Sequence, residues 1–181
     1  MKLLLFCVES NKQEQIDWIY IESVIKHVFI DDRTIVRRPL FMNSRSRYNN
    51  PKVLREIKRY QTASYDSVHV IYCVDTDKIE TNIDQKKQFE EITKFCSENG
   101  FELVWFCHDI EEVFLGYSVS DSEKKASATR FVSNEDYKKI SVKKLKRSDY
   151  HKGNSNLLTV LEKYLSIKNN EYLDGNITNK K

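Results

Sequence analysis

The chain has 181 residues, 40% of them apolar and 12% aromatic, which is enough for a self-supporting core without disulfide or metal and excludes wholesale disorder. No apolar run exceeds the six residues Leu3–Val8, too short to span a membrane, and the acid that follows is unlike the small-residue cleavage site of a leader. Net charge is only +3 but uneven: nine Lys/Arg against one acid over 33–60, eleven acids against four Lys over 75–114, and ten basic against five acidic residues over 121–152.

Lys2–Val8 is apolar without alternation after Lys2, the pattern of a strand buried on both faces. Ser10 is placed to cap a helix. Ile16, Ile19, Tyr20, Ser23, Val24 and His27 recur at helical spacing, which predicts a helix over Gln13–Val28. Thr34–Arg37 predicts a short β piece and Pro39–Asn50 a polar, Arg-rich loop. Pro51 suits the first turn of a second helix, Lys52–Ala63. Val68–Val74 reads as a second doubly buried strand. Asp84–Glu98 reads as an amphipathic helix stopped by Asn99-Gly100. Phe101–Phe106 is a third strong strand and Ile110–Leu115 a short helical turn. Helical pieces follow around Lys124–Val132 and Asp136–Lys144, then an amphipathic helix over Asn154–Ile167 and a loose tail over 168–181.

The alternation of strand and helix predicts an α/β fold with a central, mostly parallel sheet flanked by helices, Rossmann-like in plan. That domain covers 1–116, and a helical C-terminal extension over 117–167 packs on it. Cysteines stand at 7, 73, 96 and 107 without a CxxC spacing, which argues against a zinc site. With no leader, the expected compartment is the reducing cytoplasm.

Ligands of an open α/β sheet bind beyond the carboxyl ends of the strands. Each strong strand here is followed by acid: Glu9 after the first, Asp75 and Asp77 after the second, Asp109, Glu111 and Glu112 with His108 after the third. Asp75 and Asp77, two apart in extended chain, would leave on one side. Two ionised carboxylates there repel unless a hard cation joins them, and Mg²⁺ typically takes one or two carboxylates plus waters and phosphate oxygens. Glu9 would add a ligand or a proton-transfer group. Each acid also has a plainer reading. Asp-x-Asp serves turns and caps, Glu9 favours a helix N-terminus, and Glu111 and Glu112 form a solvated face.

Apolar strand–Glu9, helix, then strand–Asp75-Thr76-Asp77 resembles the TOPRIM (topoisomerase–primase) domain, and most closely its short RloB-like and abortive-infection members. The phrase Glu112-Val113-Phe114-Leu115 matches the Glu-x-aromatic-Leu that follows their third strand, and the likeness covers about residues 2–116. The resemblance implies a compact α/β fold, Mg²⁺ (or Mn²⁺) held by Glu9, Asp75 and Asp77, a catalytic site completed by Glu112, and nuclease activity in defence against phage or mobile elements. Ser10 departs from it, since the family Glu is usually followed by Gly.

Arg37, Arg38, Arg45, Arg47, Arg55 and Arg59 are candidate contacts to nucleic-acid phosphates, with Tyr48 or Tyr60 available for stacking. Lys152 belongs to a second basic cluster. The expectation is a metal-dependent nuclease acting on DNA or RNA and restrained by a regulatory protein partner. The alternatives are a non-catalytic nucleic-acid- or protein-binding subunit on the same scaffold and, more remotely, a phosphoacceptor domain modified at Asp75.

Overall fold

The computed structural model describes residues 1–168. In chain order it contains β1 (Lys2–Val8), α1 (Ile16–Val28), β2 (Ile35–Phe41), α2 (Pro51–Gln61), β3 (Ser67–Asp75), α3 (Ile83–Asn99), β4 (Glu102–Cys107), α4 (Ile110–Leu115), α5 (Lys124–Ser133), β5 (Asn154–Ser155) and α6 (Leu157–Leu161). Short 3-10 turns lie at Arg45–Arg47, Asp136–Lys139 and Val142–Leu145. The strands form one sheet in the order β2-β1-β3-β4-β5. The first four are parallel to their neighbours and β5 is antiparallel to β4. The α/β architecture read from the sequence is therefore present.

The uninterrupted apolar run of β1 follows from its central place. Leu3, Leu5 and Cys7 face one layer with Val53, Ile57 of α2 and Phe89, Ile92 of α3. Leu4, Phe6 and Val8 face the other, with Tyr20, Ile21 and Val24 of α1, Phe114 of α4 and Phe131 of α5. Each fully buried Leu or Phe contributes roughly 1.5–3 kcal/mol relative to an exposed one. Among the described residues no helix is long and apolar enough to cross a membrane.

Several boundaries shift for identifiable reasons. The first helix begins at Ile16 rather than Gln13, because Gln15 takes a left-handed conformation at φ 55°. Ser10 serves that helix from a distance. Its hydroxyl accepts the Asp17 N–H at 3.3 Å while the Asp17 carboxylate accepts the Ser10 N–H at 2.8 Å. Strand β2 continues through Pro39, where a loop was expected. It is an edge strand, and an edge strand leaves part of its N–H groups without a ladder partner, so Pro is tolerated. The second helix ends at Gln61, and its start is as read: Asn50 caps it by accepting the Lys52 N–H, with Pro51 in the first turn. The helix expected over Asp136–Lys144 is two separate 3-10 turns.

The larger correction concerns Asn154–Ile167. Its first two residues form β5, and α-helix covers only Leu157–Leu161. Leu157, Leu158, Leu161 and Leu165 are all buried, so the apolar spacing reported burial rather than a continuous helix. The segment read as an extension thus supplies the fifth strand and part of the same core. Apart from Lys168, the expected tail lies outside the described residues.

Candidate functional site

α1 lies on one face of the sheet and α2 on the other. The chain therefore leaves β1 and enters β3 on opposite sides, and the strand order reverses between these two neighbours. Ligands of open α/β sheets bind in the crevice at such a reversal. Glu9 immediately follows β1, and Asp75 ends β3.

Glu9 is half-buried, and its two oxygens are both engaged. One accepts the Asp75 N–H at 2.8 Å, the other the Arg45 N–H at 3.2 Å. Burial first, then repulsion from Asp17 and Asp77, outweighs these donors and pushes its carboxyl from 4.5 to about 8. Asp75 rises well above 3.8, first through burial, then through Glu9, Asp17, Glu111 and Asp109. Glu111 is 1% exposed, and burial, opposed by Lys124, raises it from 4.5 to about 7. Its Oε2 makes no hydrogen bond; the nearest cation, Lys124 Nζ, is 3.7 Å away. The crevice therefore gathers Glu9, Asp17, Asp75, Asp77, Asp109 and Glu111 around two cations, Arg45 and Lys124.

Asp77 reaches this group by a different route from the one its spacing suggested. Strand β3 stops at Asp75, Thr76 is buried, and Asp77 is left-handed at φ 50°. Asp is among the few residues that adopt this conformation at modest cost. Its N–H donates to the His108 carbonyl at 2.7 Å, and its carboxylate lies 2.7 Å from Arg45 Nη2.

Arg45, expected to meet phosphate, is instead 7% exposed and turned inward. Its guanidinium donates to the Asp75 carbonyl at 2.6 Å and to Gln88 Oε1 at 2.7 Å, besides pairing with Asp77. Arg37 also points away from the crevice, toward Glu22 of α1 at 3.5 Å and Asp31 at 3.3 Å. Arg38, Arg47, Arg55 and Arg59 are exposed. Three of them, Arg38, Arg47 and Arg59, line a cleft of about 630 Å³ with Lys12, Lys52 and Tyr60. Arg59 is shared there with Glu56 at 2.7 Å, and Arg55 lies outside the lining.

Glu112 does not turn toward Asp75. Successive helical residues project about 100° apart, and in α4 it is Glu111 that faces the acids. Glu112 accepts from the Ser118 hydroxyl at 2.5 Å and lies 2.9 Å from Lys152 Nζ and 3.3 Å from His108 Nδ1. Burial opposes its ionisation, but Ser118, Lys152 and the His108 backbone N–H together hold it down at about 2. Lys152 is thus committed to Glu112. The sequence reading missed Asp17 and Lys124. Asp17 sits in the first turn of α1, which its helical periodicity located, but nothing marked that turn as facing Glu9. Lys124 reaches in from α5, which no local pattern places over the sheet edge.

A second group stands beside the first. Glu80, Cys107 and His108 offer ligand atoms that all lie within 4.8 Å of one another, an arrangement that could hold a metal ion. Among the described residues, Glu9, Asp75 and Asp77 do not form so tight a set. Compared with protein-family models, curated proteins and solved structures, the chain matches none.

Proposed function

We propose that this chain is a metal-dependent nuclease of the TOPRIM type, hydrolysing phosphodiester bonds of DNA or RNA at the crevice between β1 and β3. One observation carries the reading: Glu9 and Asp75 stand at the ends of separate strands, meet at the strand-order reversal, and are both pushed toward the protonated form by burial and by surrounding carboxylates, Asp17 and Asp77 acting on Glu9 and Glu9 on Asp75. Buried carboxylates in mutual repulsion are what a divalent cation relieves. The donor set is all carboxylate oxygen, and Glu111 Oε2, which makes no hydrogen bond and has only Lys124 Nζ at 3.7 Å, fits the same need. Glu9, Asp75 and Asp77 would hold Mg²⁺ or Mn²⁺, which supplies charge neutralisation at phosphate and acidification of a nearby water.

The protein's own groups have distinct tasks in this reading. Glu9 is suited to hold the cation as a carboxylate or, where Asp75 and Asp77 hold it, to transfer a proton. Arg45 holds Asp75 and Asp77 in place through its three side-chain contacts. Arg38, Arg47 and Arg59 draw the polyanion to the adjoining cleft. Glu112, which the resemblance places in catalysis, acts here through His108 and Lys152 rather than on the acids. The same resemblance supports a role in defence against phage or mobile elements, restrained by a protein partner.

Arg45 also favours a second reading. A guanidinium already seated on Asp77 can replace the cation, which would leave a non-catalytic nucleic-acid- or protein-binding subunit. Cleavage assays with labelled single- and double-stranded substrates separate the two. Mg²⁺- or Mn²⁺-dependent cutting that is lost in Asp75→Asn supports the nuclease. Salt-sensitive binding unchanged by EDTA, without cutting under either metal, supports the binding subunit.

A further inference from the structure

The carboxyl end of β4 carries three chemically different ligands from two parts of the chain. Cys107 is the last residue of β4 and its side chain is buried; His108 follows it. Glu80 comes from the loop between β3 and α3. Cys107 Sγ is 3.8 Å from Glu80 Oε1, and His108 Nε2 is 3.4 Å from the same oxygen. A tetrahedral zinc ion with bonds of about 2.0–2.3 Å separates its ligand atoms by about 3.3–3.8 Å. The two separations lie within a few tenths of an ångström of such edges.

A second observation points the same way. Metal-bound histidines usually give their other ring nitrogen to a carboxylate, which fixes the ring and raises its basicity. Here Glu112 Oε2 lies 3.3 Å from His108 Nδ1 on a side chain only 4% exposed, within reach of that ring nitrogen but not yet hydrogen-bonded to it. The other oxygen of Glu112 is held by Ser118 and Lys152. A free carboxylate oxygen therefore stands behind the imidazole, with Nε2 on the side of Glu80 and Cys107.

We propose that Glu80, Cys107 and His108 form a zinc site, with Glu112 as the residue that positions His108. Thiolate, imidazole and carboxylate together select a borderline cation such as Zn²⁺ over Mg²⁺. Three protein ligands leave a fourth position, which water fills because Glu80 and His108 are both open to solvent (43% and 25% exposed). Binding displaces the Cys107 thiol proton to solvent. The ion ties the loop that follows Asp77 to the end of β4, reinforcing the contacts of Glu80 with Cys107 and His108 and the hydrogen bond from the Asp77 N–H to the His108 carbonyl. The site is independent of the nuclease reading, since none of its ligands belongs to the Glu9 and Asp75 group.

Cobalt(II) titration of the full chain, monitored by absorption in excess Mg²⁺, tests it. The expected result is saturation near one equivalent, with a thiolate-to-cobalt charge-transfer band, intense tetrahedral visible bands and reversal by Zn²⁺. The charge-transfer band disappears in Cys107→Ser. Affinity falls at least tenfold in Glu80→Gln, an exposed substitution that does not threaten folding, and about 10–100-fold in Glu112→Gln. Weak octahedral absorption without a sulfur band in the wild type overturns the proposal. So does a Glu80→Gln titration identical to the wild type.

Discussion

The Glu9 carboxylate receives the backbone N–H of Asp75 at 2.8 Å, a contact between residues 66 apart in sequence. It exists because β1 and β3 are parallel neighbours with Val8 beside Cys73, so both chains end at one level. The contact holds the two acids together while burial, with Asp17 and Asp77 acting on Glu9 and Glu9 acting on Asp75, opposes their ionisation. The metal-free crevice is therefore electrostatically strained, and that strain is measurable.

The first consequence is a pH dependence. Glu9 goes from 4.5 to about 8 and Glu111 from 4.5 to about 7 on folding. Both folded values are raised, so between about pH 4.5 and 8 the native state binds more protons than the unfolded chain. Stability then falls as pH rises through that window. Urea unfolding of the EDTA-treated protein at a series of pH values should show a declining midpoint from pH 5 to 8. A flat or rising profile would show that these carboxylates are not strained.

Removing one of the repelling charges should relieve the strain. Asp75→Asn keeps the shape and is expected to stabilise the metal-free protein at pH 8 by on the order of 1 kcal/mol, about one pKa unit of repulsion. Thermal unfolding in EDTA checks this. Added Mg²⁺ should raise the wild-type midpoint and leave that of the variant nearly unchanged, because stabilisation by a ligand follows its affinity for the folded state.

Arg45→Ala should have the opposite effect. The guanidinium is buried and serves the Asp75 carbonyl, Gln88 and Asp77. Deleting one partner of a buried ion pair typically costs about 3–5 kcal/mol; Asp77 is 44% exposed, so a loss near the lower end is expected by urea denaturation at pH 7. Arg45→Lys should not restore it, since one ammonium cannot make three divergent contacts.

The sheet and its flanking helices were legible because burial on both faces leaves an unmistakable mark on β1 and β3. The coincidence of acids with strand ends located the crevice for the same reason. Three features were not legible. The inward turn of Arg45 depends on a 3-10 turn whose sequence, Arg-Ser-Arg, reads as solvent-exposed. The choice between Glu111 and Glu112 depends on how α4 is rotated against the sheet, and a six-residue helix has too little periodicity to fix that. The Glu80, Cys107 and His108 group joins a distant loop residue to the last residue of β4 and the one after it, so it lacks the paired-cysteine spacing by which zinc sites are read from sequence.

That rotation of α4 gives a direct comparison. Glu111→Gln should weaken divalent-cation binding at Asp75, because Glu111 is among the carboxylates acting on Asp75. Glu112→Gln should leave it within about twofold, since Glu112 is occupied by Ser118, Lys152 and His108. Calorimetric titration with Mg²⁺ distinguishes the two variants, and the reverse ranking would restore the assignment drawn from the resemblance.

The most direct measurement is Mn²⁺ binding followed by electron paramagnetic resonance, with Mg²⁺ as competitor, on the wild type, Glu9→Gln and Asp75→Asn. Convergence of acids from two strands on one cation requires a Mg²⁺-displaceable site in the wild type and at least a tenfold loss of affinity in each variant. Equal Mn²⁺ affinity in all three proteins would contradict it.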